Sequence, residues 1–129
     1  MSDIMFETES HVQASRSLAK AIAETANYKV FEKARDRLGT DAEALKMIDE
    51  LEAAEQKAQL SASWGGLSDR ESKKLERMRE ETFRQPTILA FLEAQQSLIA
   101  ELQELNRYMT EKLGIDLVDM TKPQTGCCG

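Results

Sequence analysis

Cysteine, proline and aromatic residues are all scarce in this chain: two cysteines, two prolines and a 5% aromatic share in 129 residues. Each shortage narrows the fold or the function. Few prolines and aromatics beside a charged fraction of 31% match extended helices better than sheets, so no strand is expected. No apolar run approaches the roughly 20 residues needed to span a bilayer. The opening MSDIMFETES is acidic where a secretory signal needs a basic region. A cytoplasmic protein without a membrane span is the expectation. The net charge of −6 repels polyphosphate, so no direct nucleic-acid binding is expected.

Catalytic constellations are missing as well. The single histidine, His11, has no cysteine near it in sequence to serve as a nucleophile, and packing or solvation accounts for it. Gly65-Gly66 lacks both the following lysine and the preceding strand of a phosphate-cradling loop. The carboxylates Asp49, Glu50, Glu52 and Glu55 read as a charged helix face, and no Glu-x-x-His pattern suggests a di-iron bundle. No catalytic residue is identified, and the chain is not expected to be an enzyme.

What the chain does have is helical punctuation. From about Thr8 to Thr25, Val12, Ser15, Leu18, Ala19, Ile22 and Ala26 recur on one side at helical spacing. A second segment continues through Asn27, Phe31, Ala34 and Leu38 and is expected to stop at Gly39. Thr40 with Glu43 reads as a capping box opening a third helix, with Leu45, Ile48 and Leu51 inward and an end near Ser63. Trp64-Gly65-Gly66-Leu67 is a turn, after which Ser68 and Glu71 form another capping box. The fourth helix has a thin apolar face, Leu75, Met78 and Phe83, among alternating cations and glutamates. Pro86 suits the first turn of a fifth helix, which should end near Leu113 with Gly114 as its cap.

That fifth helix places Ile88, Phe91, Gln95, Leu98, Leu102, Leu105 and Met109 at alternating steps of three and four, a heptad seam whose one polar member is Gln95. The seam has two uses, antiparallel packing within the chain or pairing with another subunit. Five helices with few aromatics leave apolar faces that one chain covers poorly, so a homo-oligomer, most simply a dimer, is expected. The fold class is all-α: an elongated antiparallel bundle of about five helices over residues 1–114, followed by a flexible tail over residues 115–129.

Both cysteines, Cys127 and Cys128, lie in that tail, within Gly126-Cys127-Cys128-Gly129. Neighbouring Cα atoms sit about 3.8 Å apart, below the usual disulfide range, so the pair cannot staple the fold. Prenylation needs a cysteine fourth from the end, where Gly126 stands.

The helical portion resembles the YlbF/YmcA family of small bacterial regulators. The similar features are the early helix leading into Ala26-Asn27-Tyr28, the Phe83-x-x-Pro86 junction, and Phe91-x-x-Ala94-Gln95-x-x-Leu98 in the late helix. The resemblance implies a non-catalytic adaptor that works through YaaT-like or YmcA/YlbF-like protein partners. It also implies a link to competence, sporulation and biofilm control and to RNase Y-dependent processing of messenger RNA. Iron–sulfur clusters are associated with the family's complex, and the terminal Gly-Cys-Cys-Gly resembles a shortened form of a cysteine-rich ending. A four-iron cluster or a zinc site needs about four ligands, and one chain supplies two thiols. An iron–sulfur cluster or zinc ion shared between chains would therefore make Cys127 and Cys128 half a site. Two other readings stand beside the adaptor: a thiol-based metal-delivery protein and a purely structural oligomerisation module.

Overall fold

The computed structural model describes residues 2–123, with side-chain surroundings from residue 9 onward. Six helices follow one another: α1 (Ser2–Ala23), α2 (Ala26–Thr40), α3 (Ala42–Ala62), α4 (Asp69–Arg84), α5 (Pro86–Leu113) and α6 (Leu117–Thr121). There is no strand among the described residues, and the fold is all-α. The count exceeds the expected five by α6, which falls within the segment read as tail. Asp116 opens α6, its carboxylate accepting from the N–H groups of Val118 and Asp119 and from the Asn106 side-chain amide. Cys127 and Cys128 lie outside the described residues.

Several boundaries follow from local chemistry. Ser68 Oγ accepts from the Glu71 N–H at 3.2 Å and caps α4. Gly114 ends α5 in the left-handed region at φ 72°, its N–H donating to the Thr110 carbonyl. At Pro86 the missing N–H costs nothing, because the first turn has no carbonyl to receive it.

The boundary between α2 and α3 differs from the sequence expectation. Gly39 stays inside α2 with no left-handed backbone, and Thr40 is the last residue of that helix. Thr40 Oγ1 donates back to the Asp36 and Arg37 carbonyls, so it does not cap α3. Asp41 does, its Oδ1 accepting from the Ala44 N–H at 3.1 Å. The inward face of α3 shifts with it. Ala44 and Leu51 are buried and Ile48 is half-buried, whereas Leu45, expected inside, is exposed. On α4, Phe83 is likewise exposed and Thr82 takes the buried position.

The helices pair two by two and do not gather around one shared core. The α2 helix runs antiparallel to α5, from Asn27 beside Glu101 to Asp41 beside Thr87. The rings of Phe31 and Phe91 meet between them at 5.5 Å. The α3 helix runs antiparallel to α4, linked across the pair by Arg79 and Glu55 at 2.8 Å. The two pairs join where α2 turns into α3 and α4 turns into α5.

That joint is built from three side chains. Gln85 caps α5 with its side-chain carbonyl, which accepts from the Ile88 N–H at 2.9 Å. Its amide NH2 donates to Asp41 Oδ2 at 3.2 Å, and Thr87 Oγ1 donates to the same oxygen at 2.7 Å. One carboxylate thus holds the N-terminus of α3 and fastens it to the N-terminus of α5, where both helix dipoles favour negative charge. Ala44, Thr82, Thr87 and Ile88, all buried, cluster in the sequence around these breaks.

Apolar burial is otherwise sparse. Ala44, Leu51, Ile88, Ala94 and Leu98 form the buried apolar core among the described residues. The chain exposes 10828 Å², against roughly 6,900 Å² for a compact monomer of this mass.

The hydrogen bonds from Thr87, Ala44 and Gln85 hold the Asp41 carboxyl below its usual value of 3.8. A lowered folded-state value means that its stabilising effect is present above pH 3.8 and fades as pH falls through the lower folded value. Asp41→Asn keeps a capping oxygen but loses the charge, and Asp41→Ala loses both. Thermal melts at neutral pH should rank wild type above Asp41→Asn and that above Asp41→Ala, with the first two converging in acid. Ile88→Ala, which opens a cavity beside the joint, should cost about 2–5 kcal/mol in denaturant unfolding.

Candidate functional site

The seam on α5 is divided by the length of its partner. At 28 residues α5 spans about 42 Å, while α2, at 15 residues, covers about 22 Å of it. Within reach of α2, Ile88 and Leu98 are buried and Phe91 and Gln95 half-buried. Beyond Glu101, where α2 begins, cover is thinner. Leu102 is 37% exposed, Leu105 and Met109 are half-buried, and the short α6 is packed beside that end of the helix.

The α1 helix does not close this gap. Residues 9–20 are all exposed, with Ile22 the first half-buried apolar side chain of the stripe. Val12 and Leu18 therefore face outward although they share the stripe with Ile22. Tyr108, Leu113, Ile115, Val118 and Met120 are exposed on the far end of α5, the turn after it and α6. Exposed apolar side chains thus recur on α1 and on the end of the α2·α5 pair nearest to it, as they also do at Leu60, Trp64 and Phe83 on the α3·α4 hairpin. Large exposed patches of this kind mark interaction surfaces more often than solvent-facing ornament.

His11 is exposed. No group of three or more His, Cys, Asp or Glu side chains is placed to hold a metal among the described residues. Arg77 and Arg84 are exposed on α4, and Gln95 is half-buried on α5. Sequence reasoning missed the joint of Asp41, Gln85 and Thr87. The available signal was an aspartate directly after Thr40 and a glutamine directly before Pro86, both capping residues at helix breaks.

No curated protein matches this chain. Residues 12–114 match the family described as "Control of competence regulator ComK, YlbF/YmcA". The match takes in α2 to α5 whole, both helix breaks at the joint and the full seam from Ile88 to Met109, and the chain belongs to that family of regulators.

Proposed function

We propose that this chain is a non-catalytic regulatory adaptor that acts as a homodimer and recruits protein partners of YaaT-like or YmcA/YlbF-like kind. The observation that carries the reading is the uncovered apolar surface on α1 and the far end of α5 with α6. Membership of a regulatory family supports the adaptor role, and the modulation of RNase Y-dependent RNA processing is its proposed outlet.

Cys127 and Cys128 enter this reading as ligands completed elsewhere. Two thiols on one chain do not fit a four-ligand cluster or zinc site, and no described residue group adds the remainder. Two copies, or one copy and a partner, would supply enough thiolates. No reaction step is assigned to such a group.

Light scattering across the micromolar range should return the mass of a dimer, and Leu18→Glu with Leu102→Glu should reduce it to that of a monomer without loss of helicity. A wild-type monomer at every concentration would sink the dimer. Anaerobic affinity purification with mass spectrometry and iron analysis should recover protein partners, with iron that disappears in the Cys127→Ser, Cys128→Ser variant. Unchanged iron in that variant would remove the ligand role and leave the adaptor role standing.

A further inference from the structure

The α3·α4 hairpin carries a groove that belongs to neither the joint nor the seam. On one side of the hairpin, Ala54, Ala58 and Ser61 of α3 face Leu67, Leu75 and Met78 across a depression of about 470 Å³. The small α3 side chains keep the groove open, and the three larger apolar ones are only half-buried. Lys57 and Lys74 stand on its rim, where Glu71 is the one acid. Towards the joint it continues past Met47, Arg77 and Thr82, with Glu50 and Glu81 beside them.

The charge on this side is organised. Arg70, Lys73, Lys74 and Arg77 recur at steps of three and four along α4 and are all exposed. None of them enters an ion pair among the described residues, whereas Arg79, turned towards α3, pairs with Glu55. From Met47 to Ser61 the groove follows about 21 Å of α3, close to four turns of helix.

We infer that this groove seats one amphipathic helix of a partner protein, apolar face down, with acidic residues along the edge that meets Lys57, Lys74 and Arg77. The inference rests on the adaptor reading and names one surface through which it operates. A third helix would cover Leu67, Leu75 and Met78, which the two-helix hairpin leaves half-open, and the unpaired cations would meet opposite charge. The interspersed acids and the apolar floor favour a protein helix over other anions. Anionic membranes are recognised by clusters of about 4–8 cations and nucleic acids through about 6–10 phosphate contacts. Here Asp69, Glu71 and Glu76 interrupt the cations of the same segment, and the floor between them is apolar.

The hairpin tip provides the reporter. Trp64, the chain's one tryptophan, is 87% exposed. It is held at the end of α3 by N–H groups of Trp64 and Gly66 donating to the Ser61 carbonyl at 3.0 and 2.9 Å.

The test uses the full chain and a synthetic helical peptide of about four turns, with leucines on one face and glutamates on both flanks. A second peptide carries lysine in place of each glutamate. Anisotropy of the labelled peptides and Trp64 emission are read at physiological salt. Wild type should bind the acidic peptide at least about ten-fold more tightly than the basic one. The Lys57→Glu, Lys74→Glu, Arg77→Glu variant should invert that preference, and Ala58→Phe, which fills the groove, should abolish both. Circular dichroism should be unchanged in the charge variant. Equal affinity for the two peptides, or indifference to charge reversal, would overturn the inference. So would displacement of the acidic peptide by anionic vesicles or single-stranded RNA at the same salt, or a change of chain mass in the charge variant, which would give the groove to a second copy. Failure of the peptide with dimer mass and partner recovery intact overturns the groove alone; loss of those two in wild type overturns the adaptor reading itself.

Discussion

The Asp41 carboxylate, held by Thr87, Gln85 and the Ala44 N–H, is the constraint on which the other placements depend. Four helices end or begin within reach of it: α2 stops just before it, α3 starts on it, and α4 gives way to α5 at the residue that donates to it. A helix break is unfavourable where its orphan N–H groups stay unpaired. Here one carboxylate caps α3 directly and also accepts from the residue that caps α5, so both breaks are tied to the same group. The geometry that results is an α2·α5 pair and an α3·α4 pair joined at one point.

Two-helix thickness then dictates how such a molecule can work. A helix pair buries one stripe per helix and leaves the remaining faces to solvent. What arises is surface: an apolar end around α1, the distal α5 and α6, and a groove with a cationic edge along the hairpin. These are separated by the joint, so one can engage a second copy while the other stays free for a different protein. On the proposed reading, a regulator of the YlbF/YmcA family built this way brings chains together, and its thiols near the C-terminus are completed in the same manner.

Features set by local chemistry were legible in the sequence. Ser68 with Glu71, Pro86 and Gly114 each mark a boundary because the capping bond or the missing N–H lies within a few residues. Gly39 and Thr40 misled for a physical reason. Glycine inside a helix costs only about 1 kcal/mol, and moving the break one residue on brings in an aspartate with three donors. The same shift explains Leu45. Once Asp41 fixes the start of α3, the inward phase falls on Ala44 and Leu51, and alanine lets the neighbouring helix approach. Thr82 and Thr87 carry no pattern that announces burial, since their hydroxyls are satisfied only by a helix carbonyl and by a carboxylate far away in sequence. The α1 stripe was readable as apolar, but spacing along one helix says nothing about which surface covers it.

Hydrogen–deuterium exchange of the intact protein across a dilution series tests the central claim most directly. The account predicts that amides of α1 and of α5 beyond Leu102 lose protection as the protein is diluted, while those of Ala44 and Ile88 at the joint stay protected throughout. Protection in α1 and the distal α5 that does not change with concentration would contradict it.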